Sequence, residues 1–106
     1  MSFFDSEIVQ KEIEYINTLQ EKVKKGIYKF SNMNEDQQYN HIDLLYELLD
    51  KQQILYFRLS LSDDPDALNM KEHIEKHSRQ LGFIQKDMRD VFKAMKESIE
   101  DLREII

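Results

Sequence analysis

The sequence contains no cysteine, and this absence excludes several kinds of chemistry at once. Without a thiol there is no disulfide framework, no thiolate nucleophile and no sulfur-ligated metal. No apolar run approaches the ~20 residues that a membrane-spanning helix needs. The opening residues 1–5 have neither the basic nor the apolar region of a secretory signal. We therefore expect a protein of the reducing cytoplasm that has no membrane partner.

Helix-breaking residues are also scarce, with two glycines and one proline among 106 residues. Apolar side chains recur in steps of three and four, a spacing that places them on one side of an α-helix. The first row is Val9, Ile13, Ile16, Leu19, Val23, Ile27 and Phe30, and the second is Ile42, Leu45, Leu49, Gln52, Tyr56 and Leu59. Because no alternating strand pattern competes with these rows, we predict an all-α chain that forms one domain, residues 1–106.

Capping signals set the predicted helix boundaries. Asn34 followed by Gln37 approximates a capping box, and Asp64 followed by Pro65 is typical of a helix start. Gly82 is suited to the left-handed backbone conformation that commonly ends a helix, and it predicts the end of the third helix. We predict a long antiparallel hairpin of helices near 6–29 and 35–60, with two further helices near 64–80 and 86–105.

The residues that carry chemistry in other proteins do not form a recognisable site here. His73 and His77 are one helical turn apart, but Ile74 follows the first histidine where zinc helices carry glutamate, and no third ligand follows. No glutamate lies three residues before a histidine, as a di-iron bundle requires. No serine has the glycine-flanked elbow of a hydrolase. We expect no catalytic residue, no cofactor and no metal, and therefore no enzyme.

The charge pattern argues against nucleic acid as a direct partner. The chain has 21 acidic and 15 basic residues, a net charge of −6. Its densest basic stretch, Lys22 to Lys29, is typical of a solvated helix face. A duplex binder needs a basic stripe that replaces counterions, so we expect no direct nucleic-acid binding.

Apolar residues cover more of the circumference of the second helix than packing against a single neighbouring helix requires. Leu44, Leu48 and Leu55 widen its row, which already contains Tyr56, and this predicts a central helix covered from more than one side. Since monomers rarely leave large apolar patches bare, we consider Leu48, Leu55 and Tyr56 candidates for partner binding or for a homodimer. The alternative is that such a row belongs to the core.

The opening residues Ser2 to Gln10 and the turn Ser62-Asp63-Asp64-Pro65 resemble a family of short, uncharacterised cyanobacterial proteins with relatives in cyanophages. The resemblance spans most of the chain and implies a domain of unknown function, without site residues. After Gly82, the segment Phe83 to residue 86 departs from the small or proline-containing linker that the family pattern implies.

The end of the chain, Asp101 to Ile106, is similar to the short acidic-apolar tail of some small phage transcription adaptors. On this basis Leu102, Ile105 and Ile106 are further candidates for partner binding, although the same residues also fit the last turn of an amphipathic helix. We therefore expect a protein-interaction adaptor of a larger cytoplasmic machine, with RNA polymerase as the leading candidate partner. A structural homo-oligomer without a regulatory role is the alternative.

Overall fold

The computed structural model describes residues 2–85 and 87–106. Within these ranges it contains the helices α1 (Glu7–Lys29), α2 (Glu35–Ser60), α3 (Pro65–Gln80) and α4 (Met88–Ile105), and no strand. Two short 3-10 turns, Phe3–Asp5 and Phe30–Asn32, flank α1. The predicted all-α fold, a long hairpin with two further helices, is confirmed. The predicted start of the last helix, residue 86, lies outside the described residues.

The helix starts follow from their capping residues. The Gln37 N–H donates to Asn34 Oδ1 at 2.9 Å, and the Asn34 N–H donates to Gln37 Oε1 at 3.0 Å. This reciprocal pair satisfies backbone donors that the first turn of α2 leaves free. At the start of α3, Asp64 Oδ1 accepts the Asp66 N–H at 2.9 Å, and Pro65 occupies the first turn. Both predicted caps are confirmed.

Gly82 follows α3 with a φ of +96°, in the left-handed region that favours glycine. The Phe83 N–H donates to the Ser78 carbonyl at 3.0 Å, and the Gly82 N–H donates to the Arg79 carbonyl at 3.0 Å. These bonds satisfy carbonyls at the end of α3 and turn the chain towards α4.

Helix α2 lies at the centre of the molecule and contacts each of the other three helices. On one side it packs against α1, around a buried cluster that includes Leu19, Val23 and Leu48. On another side it packs against α4, around Leu49, Tyr56 and Phe92. Helix α1 runs antiparallel to α2, since its Glu12 pairs with Arg58 and its Gly26 lies against His41. Helix α4 is antiparallel to α2 as well, since Phe92 lies against Tyr56 and Arg103 pairs with Asp43. We call α1, α2 and α4 the helix layer.

Helix α3 crosses the helix layer at the C-terminal end of α2. Its start lies near the beginning of α1, because the Phe3 N–H donates to Asp64 Oδ2 at 2.6 Å. Its end lies near the beginning of α4, where Ser78 Oγ is 3.9 Å from Met88 Sδ. We call the side of the layer that carries α3 the front face. The whole body is flat, with extents of 47 × 30 × 17 Å.

The opposite side, the back face, is joined by polar contacts between neighbouring helices. Between α1 and α2, Glu12 pairs with Arg58 at 3.0 Å. Between α2 and α4, Asp50 pairs with Lys96 at 3.0 Å and Asp43 pairs with Arg103. The charges of α2 are thus directed away from the front face.

Candidate protein-interaction site

The three candidate residues from the middle of α2 are buried within this chain. Leu48, Leu55 and Tyr56 are 9%, 4% and 5% exposed. Leu48 and Leu55 belong to the cluster shared with α1, and Tyr56 belongs to the cluster shared with α4. Within this chain, α1, α3 and α4 cover α2 from three directions, which favours the alternative that these side chains belong to the core. Their part in partner binding stays a prediction.

Tyr56 illustrates how completely this part of α2 is enclosed. Its hydroxyl donates to Glu75 Oε1 of α3 at 2.8 Å, and its ring centroid lies 5.8 Å from that of Phe92 in α4. Burial and the neighbouring carboxylate raise the pKa of Tyr56 to about 12. The side chain joins three helices and has no surface to offer a partner.

The three candidates at the end of α4 lie at the surface. Leu102 is 45% exposed and Ile105 is 79% exposed, while Ile106 is half-buried. Arg103 ties this end of α4 to the start of α2 through its ion pair with Asp43, and its Nε is 3.9 Å from Glu100. Leu102 and Ile105 therefore project from a helix end that the ion pair between Arg103 and Asp43 holds against α2.

The surroundings of this helix end are acidic. Glu97, Asp101 and Glu104 are exposed on α4, on the side of the helix that points away from α2. The cations Lys96 and Arg103 face α2, where they pair with its carboxylates. We define the α4 patch as Glu97, Asp101, Leu102, Glu104 and Ile105. It combines apolar side chains with exposed carboxylates.

A second apolar region lies on the front face, alongside α3. A groove of about 650 Å³ opens there, lined by residues of all four helices, including Ile16, Gln52, His77 and Met95. The sequence did not indicate this groove, because its lining residues belong to rows that also form the core. The signal that could have found it is the short length of α3, which leaves part of the front of α2 uncovered.

His73 and His77 are exposed on α3 and line this groove. In the described part of the chain, no group of three histidine, aspartate or glutamate side chains is placed to hold a metal. The absence of metal, cofactor and catalysis stays a prediction. No helix among the described residues is long and apolar enough to cross a membrane.

A further cleft, of about 540 Å³, separates the end of α1 from the start of α2. Lys22, Lys29 and the buried His41 line it. Burial lowers the pKa of the His41 imidazole below its usual value. This region carries positive charge, in contrast to the α4 patch at the other edge of the helix layer.

Comparison with known proteins places the chain in a family. The family described as Domain of unknown function (DUF1825) matches residues 1–106, and the chain belongs to it. Neither the curated proteins nor the solved structures gave a match. The family relationship therefore brings no assigned activity and no assigned site residues.

Proposed function

We propose that this protein is a non-enzymatic adaptor that binds a larger protein machine of the cytoplasm through the α4 patch. The observation that carries the proposal is the exposure of Ile105 and Leu102 at an anchored, acidic helix end. An amphipathic helix that presents such side chains suits a hydrophobic groove on another protein. The cytoplasmic location rests on the absence of cysteine.

The chemistry of the patch favours a partner with an apolar pocket and a basic rim. Burial of Ile105 and Leu102 would supply most of the affinity, since a few buried anchors dominate protein interfaces. Glu97, Asp101 and Glu104 would mainly accelerate encounter and select the orientation. Among cytoplasmic machines, RNA polymerase is our leading candidate, because the tail is similar to that of small acidic phage adaptors.

An affinity capture with paired variants tests the proposal. Tagged wild-type protein is incubated with lysate of the source organism, beside Ile105→Ser and Ile84→Ser. The two isoleucines are matched, at 79% and 81% exposure, but Ile84 lies outside the α4 patch. We expect wild type and Ile84→Ser to retain RNA polymerase subunits, and Ile105→Ser to lose them. Equal retention by all three proteins, or capture of no polymerase, would contradict the proposal.

The second candidate function is a structural homo-oligomer without a regulatory role. The uncovered apolar part of the front face favours self-association, because exposed apolar patches of this kind usually mark interaction surfaces. The two functions differ in what the capture experiment recovers. Recovery of this protein alone would favour the structural oligomer.

A further inference from the structure

The cleft between the end of α1 and the start of α2 is lined by cations and neutral groups. Its described lining consists of two lysines, one histidine, three amide side chains and three residues without a polar side chain. No carboxylate is among these described residues. Because the chain as a whole has a net charge of −6, this local excess of positive charge does not follow from its composition.

The two lysines of this cleft, Lys22 and Lys29, form no ion pair with any residue that the structure describes. By contrast, the cations that join neighbouring helices, Arg58, Lys96 and Arg103, all pair with carboxylates. Lys22 and Lys29 are seven residues apart in α1, so their side chains leave the helix on the same side, about two turns apart. Their ammonium groups are therefore available to an anion in the cleft.

The imidazole of His41 lies between the two lysines because Gly26 has no side chain. A Cβ atom on Gly26 would lie 2.3 Å from His41 Nδ1. His41 is only 6% exposed, yet neither ring nitrogen makes a hydrogen bond with a residue in the ranges 2–85 and 87–106, and neither is sealed from solvent. Buried polar side chains normally have a hydrogen-bond partner. Since His41 lines the cleft, its unused hydrogen-bonding capacity is directed there.

The amide side chains supply further hydrogen-bonding groups that carry no charge. Asn32 lies in the turn after α1, and Gln37 and Asn40 lie in the first turns of α2. Gln37 Oε1 accepts the Asn34 N–H, which leaves the amide nitrogen of Gln37 as a donor. Groups of this kind suit the hydroxyl groups of a polar ligand.

Charge and size together indicate the class of ligand. A phosphate monoester carries a charge of about −1.5 to −2 at neutral pH and three acceptor oxygens, which suits two lysines and a histidine. A carboxylate has a single charge and would leave one lysine without a partner. The volume of about 540 Å³ is within the range of roughly 300–1,000 Å³ that is usual for small-molecule sites, and it is larger than a phosphate group needs.

We propose that this cleft binds a small phosphate monoester, whose phosphate group lies between Lys22 and Lys29 and accepts a hydrogen bond from His41. The amide side chains hydrogen-bond the polar body of the ligand. Burial lowers the pKa of His41 in the free protein, and a bound phosphate favours the charged imidazolium, so binding raises this pKa. The inference is independent of the α4 patch, which lies at the other edge of the helix layer.

Calorimetric titration with two monoesters, glucose 6-phosphate and adenosine 5′-monophosphate, tests the site. We expect at least one of them to bind with a Kd of about 1 mM or lower, whereas glucose and adenosine do not bind. Lys22→Gln and Lys29→Gln should each raise this Kd roughly tenfold, because each removes a charge-assisted hydrogen bond. Lys24→Gln is the matched control: it removes the same charge from the same stretch, but Lys24 does not line the cleft. Its Kd should equal that of wild type.

NMR of the histidine side chains locates the bound phosphate independently of the affinity. With the ester, we expect the pKa of His41 to rise, while the imidazole signals of the exposed His73 and His77 do not move.

Three results would overturn the inference. The first is the absence of binding by both esters up to about 10 mM. The second is an equal loss of affinity in Lys24→Gln, which would indicate a diffuse attraction to the whole basic stretch. The third is a single-stranded oligonucleotide that binds in preference to both esters, which would assign the lysines to a nucleic-acid surface.

Discussion

At the scale of single residues, Gly26 of α1 lies in close contact with His41 of α2. A Cβ atom placed on Gly26 would lie 2.3 Å from His41 Nδ1 and 2.6 Å from its Cε1. The imidazole is buried, with its centroid 5.5 Å from that of Phe30, and it would have to shift to admit this Cβ atom. Glycine inside a helix normally costs about 1 kcal/mol relative to alanine. Here it permits the approach of two helices.

We therefore expect Gly26→Ala to destabilise the fold, although alanine favours the helix. Overpacking of a tight contact costs about 1–3 kcal/mol, which exceeds or cancels the gain in helix propensity. Urea unfolding of the single variants and of Gly26→Ala with His41→Ala measures the coupling between the two positions. If the double variant loses as much stability as the two single variants together, the contact between Gly26 and His41 is not what destabilises Gly26→Ala.

His41 also makes stability depend on pH. Burial lowers its pKa in the folded state, so the unfolded chain binds a proton at a higher pH than the folded chain does. Stability from this group is present above about pH 6.5, the usual histidine pKa, and is lost as the pH falls through the lower folded-state pKa. We expect unfolding curves between pH 7 and 5 to show this loss in wild type and a smaller loss in His41→Gln. If wild type and His41→Gln lose the same stability over this pH range, groups other than His41 cause the loss.

At the scale of secondary-structure elements, Asp64 connects two parts of the chain that are far apart in sequence. One carboxylate oxygen accepts the Asp66 N–H of α3, and the other accepts the Phe3 N–H. These backbone donors lower the pKa of Asp64, with the bond from Phe3 as the largest cause. The cap of α3 thus also fixes the N-terminal turn, whose Phe3 and Phe4 pack against the core.

Asp64→Ala should lower the free energy of unfolding, because it removes the helix cap and the acceptor of the Phe3 N–H. Asp64→Asn keeps an accepting oxygen and should cost less. Because its pKa is lowered on folding, the stability that Asp64 contributes is present above about pH 4 and is lost as the pH falls through its folded-state pKa. Guanidinium titrations at pH 7 and pH 3 distinguish the variants. An alanine variant as stable as wild type at pH 7 would show that the cap is dispensable.

The helix boundaries could be predicted because their causes are local. Asn34, Asp64 and Gly82 act through backbone groups within a few residues, so the sequence alone indicates where α2 and α3 begin and where α3 ends. By contrast, which helices cover each apolar row depends on parts of the chain that are far apart in sequence. Leu55 and Leu45 belong to similar rows, yet one is buried and the other half-buried, because α3 crosses α2 near only one of them. No short-range sequence signal indicates where α3 crosses α2.

At the scale of the whole molecule, the difference between core and surface candidates has a measurable consequence. Leu55 lies in the cluster that joins α1, α2 and α3. Leu55→Glu would bury an unpaired charge, so we expect a loss of about 4 kcal/mol or more and a chain that is largely unfolded by circular dichroism. Ile105→Ser, at an exposed position, should retain the wild-type spectrum and melting temperature. A folded Leu55→Glu variant would contradict the position of Leu55 in the core.

The two edges of the flat body also differ in charge. The cleft at the end of α1 carries Lys22 and Lys29, whereas the α4 patch carries Glu97, Asp101 and Glu104.

The most direct test of the adaptor proposal is a titration of ¹⁵N-labelled protein with RNA polymerase purified from the source organism. Binding to so large a partner broadens the resonances of the residues that become immobilised in the interface. We expect intensity to be lost first at residues 97–106, and we expect Ile105→Ser to abolish this loss while Ile84→Ser does not. Unchanged spectra, or a loss that begins elsewhere and survives Ile105→Ser, would contradict it.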